Sequence, residues 1–278
     1  MNLPVNLRVL SLGAGVQSTA MYLMAVDGEF ADRPDVAIFA DTGVEPPWVY
    51  ENLWRLSQAG SSVVPIHIVS AGCLGDSLRR SVGDSEGRFA SVPFWVESEA
   101  EPGRAAPGRR QCTREYKIDV VKREIRRMLG LKPRQHAAGR FHVEEWLGIS
   151  LDEVQRAKPS RYRWITTRWP LIFDRPMHRY ELVRWLNRRG WPPVRKSACV
   201  FCPFRSNGEW IRWRDEVPDL FEIACQWDEL LRSRGPIRGM RKLQYVSNQL
   251  VPLRDITADP ATDQLDLFGN ECEGMCGL

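Results

Sequence analysis

Short apolar runs alternate with longer amphipathic segments along the first third of the chain. The runs at 7–12, 36–40 and 63–69 are rich in Val, Ile and Leu, and each is a strand candidate. The segments 16–25 and 47–58 have the spacing of helices, and the second begins at a proline, which suits a first helical turn. Strands that alternate with helices predict an α/β fold with a parallel sheet.

The pattern changes twice further along the chain. Residues from about 80 to 110 have no usable period and are dominated by Gly, Ser, Pro, Glu and Arg, which predicts a long loop, mobile enough to cover a site. Residues 119–129 then predict a helix, and 143–149 predict a further strand. The remainder predicts mainly helices, around 180–189 and 218–232.

We therefore expect two parts, an α/β domain over 1–174 and a mainly helical region over 175–278. Of the 278 residues, 43% are hydrophobic and 27% charged, which allows a sizeable core and excludes disorder, collagen and coiled coil. The 39 basic and 35 acidic residues leave a net charge of +4, which alone does not indicate a nucleic-acid partner.

The seven cysteines change the picture more than the charge does. No secretory signal is visible in the first residues, and no run approaches the ~18 apolar residues of a membrane span. We therefore expect a cytoplasmic protein with no membrane segment. In that reducing compartment, seven cysteines indicate metal or redox chemistry rather than a disulfide framework.

A glycine-containing turn joins the first predicted strand to the first predicted helix. It reads Ser-Leu-Gly-Ala-Gly-Val-Gln-Ser-Thr over 11–19. Glycines allow backbone amides to approach an anion closely, and the helix directs its free N–H groups to the same point. This pattern predicts phosphate or pyrophosphate binding, with a tight turn that holds no ligand as the alternative. The Walker A and dinucleotide spacings are both absent.

Three motifs in this order resemble the adenine nucleotide α-hydrolase superfamily, and within it the phosphoadenosine-phosphosulfate (PAPS) reductase-like proteins, including phage and prophage members. The motifs are the turn at 11–19, the segment Phe-Ala-Asp-Thr-Gly-Val-Glu-Pro-Pro over 39–47, and Trp-Leu-Gly-Ile-Ser-Leu-Asp-Glu-Val-Gln-Arg over 146–156. The commoner loop of that superfamily has an acidic residue where this chain has Gln17. The resemblance implies a Rossmann-like core that binds ATP, or an adenylyl sulfate, across the carboxyl ends of the strands.

The resemblance also implies roles for individual residues. Asp41 and Thr42 follow the second strand, where α/β sheets place ligand contacts. Asp152 and Glu153 are implied ligands of Mg²⁺ or of the substrate, with Asp41 and Asp152 as catalytic candidates, and Arg156 would neutralise phosphate charge. A helix N-cap with acidic residues in its first turn is the alternative for 150–153. The residues implied to cradle the phosphates are Ser11, Gly13, Gly15, Gln17, Ser18 and Thr19.

The cysteine spacing indicates a metal or cluster site. Cys199 and Cys202 form a Cys-x-x-Cys pair, whose sulfurs a turn brings to one side. Cys112 is the best third ligand, because it precedes a helix and has arginines nearby, which stabilise a thiolate. The fourth ligand is Cys272 or Cys276, or three cysteines hold a [4Fe–4S] cluster with one free iron. A structural zinc is the alternative.

The terminal cysteine has a second interpretation. The end of the chain resembles the mobile Glu-Cys-Gly segment of assimilatory reductases, which implies that Cys276 is the catalytic nucleophile. The resemblance to that family also covers the region of Cys112, although its iron–sulfur members have a Cys-Cys pair there. Cys73 and Cys225 have small or apolar neighbours and are predicted to be buried bystanders.

Basic residues interleaved with tryptophans at 109–127, 156–168 and 184–196 suit a nucleic-acid partner, with solvated helix faces as the alternative. Three functions follow as hypotheses. The first is an ATP-dependent sulfurtransferase that adenylylates a substrate oxygen, on tRNA or DNA, and takes sulfur from a donor such as a cysteine desulfurase. The second is a PAPS or APS reductase that releases sulfite through Cys276 and thioredoxin. The third is a non-catalytic nucleotide or nucleic-acid binding module with a structural zinc.

Overall fold

The computed structural model describes residues 4–83, 92–233 and 242–258. The strands are β1 (Leu7–Leu12), β2 (Val36–Asp41), β3 (Ile66–Ser70), β4 (Trp95–Glu97), β5 (Ala105–Pro107), β6 (Val143–Leu147) and β7 (Ile165–Arg168). The helices are α1 (Val16–Val26), α2 (Pro47–Gly60), α3 (Leu74–Gly83), α4 (Gln111–Thr113), α5 (Asp119–Met128), α6 (Pro170–Phe173), α7 (Arg179–Arg188), α8 (Asn207–Glu216) and α9 (Pro218–Ser233). A π-helical turn joins α4 to α5, and 3₁₀ turns lie at Leu151–Arg156 and Leu253–Asp255.

A five-stranded sheet in the order β3-β2-β1-β6-β7 forms the centre of the fold, and all its neighbouring strands run parallel. This confirms the predicted α/β class with a parallel, Rossmann-like sheet. Helices cover both faces of such a sheet, so a central strand can be apolar on both sides. In β2 the first five residues are buried, which explains its unbroken apolar run.

Helix α1 is buried along nearly its whole length because other helices cover its outer side. Met21, Tyr22 and Leu23 are fully buried and share one core cluster with Leu182 and Leu186 of α7. Part of the region after 174 therefore packs directly on the first helix. The division into two parts at 174 stays a prediction.

A second apolar cluster joins α3, α8 and α9 to the segment around β4. Its members include Leu78, Phe94, Trp210, Trp213 and Trp227, and the cysteine-bearing segment packs on it. The tryptophans that suggested a stacking surface lie elsewhere: Trp164 and Trp185 are each 8% exposed and belong to other core clusters, which favours a structural role for these two. Among the described residues, no helix is long and apolar enough to cross a membrane.

The predicted loop at 80–110 is only partly irregular. Helix α3 extends to Gly83, and β4 pairs antiparallel with β5. Trp95 exchanges two backbone hydrogen bonds with Tyr245, at 2.8 and 2.9 Å, so a distant segment anchors the hairpin. Residues 84–91 lie outside the described residues. The prediction of one long loop was wrong for the hairpin, because nothing in the local pattern reveals its remote partner.

Candidate functional site

The strand order reverses between β1 and β6, and the carboxyl ends of these two strands define a crevice. In open α/β sheets, ligands bind at this switch point. Residues 13–15 follow β1, and Gly148 follows β6. A Cβ atom on Gly148 would lie 2.9 Å from the backbone nitrogen of Ser18 and 3.1 Å from its Cα. The absence of a side chain there lets the start of α1 approach β6 closely.

The turn at 13–15 has the geometry of an anion-binding loop. Ala14 has a left-handed backbone with φ of 57°, and the Gly13 N–H donates to Ser18 Oγ at 3.2 Å. Gly15 is the N-cap of α1, with no capping side chain and no acidic residue in the first turn. Ala14 and Gly15 are buried, and their N–H groups donate to no protein acceptor among residues 4–83, 92–233 and 242–258.

Buried backbone donors without an acceptor are rare in folded proteins. Here two of them lie at the positive end of an uncapped eleven-residue helix, which favours negative charge at the same point. The loop can therefore bind an anion such as a phosphate through main-chain N–H groups.

The structure brings Gln17, Glu153 and Arg156 together. Gln17 is fully buried, and its Nε2 donates to Glu153 Oε2 at 3.2 Å. Arg156 forms an ion pair with the same carboxylate. Gln17 Oε1 is buried and has no hydrogen-bond partner in the described protein. The cluster thus offers a cation and an unused acceptor beside the loop.

Ser11 and Thr19 do not direct their hydroxyls as a simple phosphate cradle would. Ser11 Oγ donates to Glu145 Oε1 at 3.1 Å, and Glu145 also forms a buried ion pair with Lys122. Thr19 Oγ1 accepts from Asn52 at 2.8 Å. Both hydroxyls are therefore hydrogen-bonded to protein side chains next to the loop.

Asp41 closes a turn at the end of β2. Its Oδ1 accepts from the Gly43 N–H and from the Tyr50 hydroxyl, both at 2.8 Å. Burial raises the pKa of Tyr50 above its usual range, and the hydrogen bond to Asp41 raises it further. The Asp41 carboxylate already accepts two hydrogen bonds from neighbouring residues, and its catalytic role stays a prediction.

Asp152 occupies the position of a capping residue for α7, although it is remote in sequence. Its Oδ1 accepts from the Arg179 N–H at 2.8 Å and lies 3.1 Å from His178 Nδ1, while Oδ2 accepts from Ser150 Oγ at 3.0 Å. A magnesium ion would have to compete with these partners. The proposed Mg²⁺ and catalytic roles of Asp152 stay predictions.

Three cysteines of the sequence prediction line one cavity, although they are far apart in the chain. Cys199 lies 3.4 Å from Thr42 Oγ1 and its thiol reaches Glu45 Oε1 at 3.8 Å. Burial raises the pKa of Cys199 well above its usual range, and Glu45 raises it further, whereas Lys117 acts in the opposite direction. The polar and sulfur-bearing residues that line the cavity are Thr42, Arg110, Cys112, Thr113, Lys117, Cys199 and Cys202.

Lys117 and Glu45 form a buried ion pair beside these thiols, at 3.2 Å between Nζ and Oε1. Lys117 lies in the π-helical turn Arg114–Ile118, which follows directly on the helical turn that carries Cys112. π-Helical turns within helices frequently occur at functional sites. The sequence pattern of 119–129 predicted the later helix and missed this turn.

The turn at Cys199 and Cys202 is anchored by Arg205. The Arg205 N–H donates to the Cys202 carbonyl at 3.2 Å, and its guanidinium lies 3.7 Å from the ring centre of Trp213. Glu209 pairs with this buried cation at 3.1 Å. An arginine held between a tryptophan and a carboxylate fixes the path of the chain just after the second cysteine.

The cysteine segment is attached to the carboxyl ends of β1 and β2. Ser197 Oγ donates to the Gly13 carbonyl, and the Val200 N–H donates to the Val44 carbonyl at 2.9 Å. The turn at 13–15 and the thiol cavity therefore share the same edge of the sheet.

The thiols of the cavity are candidate ligands for a metal. The thiols of Cys112, Cys199 and Cys202 have the right chemistry for zinc or an iron–sulfur cluster. Yet within the described parts of the chain, no three His, Cys, Asp or Glu side chains form a group that could hold a metal ion. Cys272 and Cys276 lie outside the described residues. The described thiols alone do not provide a complete ligand set, so metal binding stays a prediction.

No protein-family model matches the chain, and no curated protein matches it. Among solved structures, it is similar to the crystal structure of phosphoadenylyl-sulfate (PAPS) reductase from Candida auris in a phosphate complex. The two are 14% identical, with 69% of this chain and 76% of that chain covered and a TM-score of 0.43. The side chains of the site therefore have to carry any functional proposal.

Proposed function

We propose that the chain is an ATP-dependent sulfurtransferase, which binds ATP by its phosphates at the loop 13–19 and transfers sulfur with the help of the adjoining thiols. The buried, unpartnered N–H groups of Ala14 and Gly15 carry the nucleotide half of this proposal. The hydrogen bond from Ser197 to the loop supports the sulfur-transfer half of the proposal, because it holds Cys199 close to the nucleotide.

The chemistry requires activation of an oxygen that is a poor leaving group. The acceptor oxygen attacks the α-phosphorus of ATP and pyrophosphate departs. A sulfur nucleophile then attacks the activated carbon or phosphorus, and AMP departs with the oxygen. The loop N–H groups and the N-terminus of α1 would stabilise the charge that develops on the departing pyrophosphate. Mg²⁺, when bound, would neutralise phosphate charge; Glu153, which accepts a hydrogen bond from Gln17 beside the loop, is a candidate ligand.

Arg156 and Lys117 supply positive charge on two sides of the proposed site. Arg156 pairs with Glu153 beside Gln17, and Lys117 lies in the thiol cavity. The sulfur atom would come from a donor such as a cysteine desulfurase, passed as a persulfide whose terminal sulfur is the nucleophile. A second thiol of the cavity would then attack the S–S bond that joins this sulfur to its carrier, which leaves the sulfur on the product and forms a disulfide that an external dithiol reduces. A [4Fe–4S] cluster, or zinc in its place, would need ligands beyond the described residues.

A nucleic acid, tRNA or DNA, is the proposed acceptor. Lys158, Arg161 and Arg163 are exposed and form no ion pair with any residue that the structure describes. Tyr162, between two of them, is 39% exposed. Exposed cations beside an aromatic ring suit phosphates and a stacked base.

A reductase that acts on PAPS or APS is the second candidate. Arg110 and Lys117 line the thiol cavity together with the three cysteines, and two cations beside thiols suit a sulfate ester. Cys276 would attack the sulfuryl sulfur and displace the nucleotide, and reduction by thioredoxin would release sulfite.

Product analysis distinguishes these functions. Protein purified without oxygen is incubated with ATP, Mg²⁺, a persulfide donor and either tRNA or DNA, and AMP and pyrophosphate are measured. We expect both products to depend on the nucleic acid. Cys199→Ala is expected to lose AMP formation and to release pyrophosphate for one turnover at most, whereas Cys225→Ala, at a buried cysteine of the second apolar cluster, keeps both products. Sulfite from PAPS or APS with thioredoxin would instead establish the reductase. If a preparation that binds ATP forms neither AMP and pyrophosphate nor sulfite, both enzyme proposals fail and only the binding module remains.

A further inference from the structure

We propose that Asn52 and Ser197 are positioning residues for the phosphate loop. They hold the carbonyl oxygens of Ala14 and Gly13 from outside the loop, which turns the adjoining N–H groups toward the anion. This inference rests on the proposed function, because it concerns the same phosphate-binding loop.

Asn52, on α2, makes one hydrogen bond with its oxygen and two with its nitrogen. Its Nδ2 donates to the Ala14 carbonyl at 3.0 Å and to Thr19 Oγ1 at 2.8 Å, while its Oδ1 accepts from Trp191 Nε1 at 3.0 Å. Since an indole N–H is only a donor, the Asn52 oxygen must face Trp191 and its nitrogen must face the loop. The side chain is buried, with 6% of its surface exposed.

Ser197 acts on the preceding peptide. Its buried hydroxyl donates to the Gly13 carbonyl. Ser18 Oγ accepts from the Gly13 N–H at 3.2 Å, so both the N–H and the carbonyl of Gly13 are held.

The geometry of the peptide bond connects these contacts to the anion. In a trans peptide the C=O and the following N–H point in opposite directions. The Gly13 carbonyl shares its peptide with the Ala14 N–H, and the Ala14 carbonyl shares its peptide with the Gly15 N–H. Fixing the two carbonyls outward therefore fixes the two N–H groups on the opposite side, and these are the buried donors that have no described protein acceptor.

The left-handed backbone of Ala14 explains why such support is needed. A non-glycine residue at φ of 57° costs roughly 1–2 kcal/mol relative to ordinary backbone. Without the two hydrogen bonds the peptides would be free to rotate away from this conformation. A preorganised loop binds its ligand more tightly because it does not have to be ordered on binding.

Inorganic pyrophosphate is the probe for a titration by calorimetry. We expect Ser197→Ala and Asn52→Ala each to weaken pyrophosphate binding by about tenfold, the value for loss of roughly one hydrogen bond. Ser197→Thr, which keeps the hydroxyl, is expected to restore binding to within about threefold. Ser81→Ala is the matched control, since Ser81 is also buried and also donates to a carbonyl, at 2.7 Å, but lies on α3.

The outcomes separate the two proposals. If the wild type binds pyrophosphate and both alanine variants bind it equally well, Asn52 and Ser197 do not position the loop. If Ser81→Ala weakens binding as much as Ser197→Ala does, or Ser197→Thr does not restore it, the effect is general destabilisation and the inference is wrong. If the wild type binds neither pyrophosphate nor ATP, the proposed function itself fails.

Discussion

Replacement of Gly148 by alanine tests the close approach between α1 and β6. The added Cβ would lie 2.9 Å from Ser18 N, 3.1 Å from Ser18 Cα and 3.2 Å from the Gln17 carbonyl carbon. All three atoms belong to the backbone, so no side chain can rotate away. An ordinary contact needs at least 3.4 Å, and the start of α1 would have to move by about 0.5 Å.

The expected loss of stability follows from the strain, and the expected loss of pyrophosphate affinity follows from the displacement of α1. Overpacking in a closely packed region costs typically about 1–3 kcal/mol, so we expect Gly148→Ala to lower the free energy of unfolding by about 2 kcal/mol. A displacement of 1 Å at a site can cost about 100-fold in function, so half of it is expected to weaken pyrophosphate binding by about tenfold.

Urea denaturation and pyrophosphate titration measure these two effects. Gly139→Ala is the control, because Gly139 has a φ of +78° and open space around it. Its alanine variant is expected to lose roughly 1–2 kcal/mol through backbone strain and to keep its pyrophosphate affinity. If Gly148→Ala keeps wild-type affinity, or if both variants lose it equally, the contact between α1 and β6 does not shape the phosphate site.

Three further predictions concern the ion pairs and the thiols. Lys117→Met is expected to lower the free energy of unfolding by about 3 kcal/mol in urea, because it leaves Glu45 buried without this cation; an unchanged value contradicts the buried pair. The hydrogen bond from Arg127 lowers the pKa of Glu124 to about 2. The contribution of this ion pair to the stability of the fold is therefore present above about pH 4.5 and is lost as the pH falls toward 2. The difference in urea midpoint between wild type and Glu124→Gln should therefore shrink from pH 7 to pH 3, and a constant difference would refute this. Protein purified without oxygen is expected to contain iron and sulfide and to lose them in Cys199→Ala; a colourless, zinc-loaded protein would contradict the cluster.

The sheet and the glycine-containing turn after β1 could be predicted because their signals are local. An apolar run, a glycine-containing turn and a helix follow each other within residues 7–26, and the same pattern of strand and helix recurs through β2 and β3. Periodicity and turn chemistry of this kind need no knowledge of distant residues. The Cys-x-x-Cys spacing is equally local, and the structure places both of these cysteines on one cavity.

The partners of these motifs could not be predicted, because they come from distant parts of the chain. Ser197 reaches Gly13 across 184 positions, and Cys199 reaches Glu45 across 154. A buried serine or glutamate has no distinctive spacing, so one sequence does not reveal its partner. The same holds for Asn52, which reads as an ordinary polar residue of an amphipathic helix.

Alkylation of the thiols, followed residue by residue with mass spectrometry, tests most directly whether nucleotide and cysteines share one site. Protein purified without oxygen, and freed of iron and zinc with a chelator, is treated with a thiol reagent in the presence and absence of ATP and Mg²⁺. We expect ATP to slow the alkylation of Cys199 and Cys202, whereas Cys225, buried in the second apolar cluster, reacts at the same rate in both states. Equal rates for Cys199 and Cys202 with and without bound ATP would contradict a shared site.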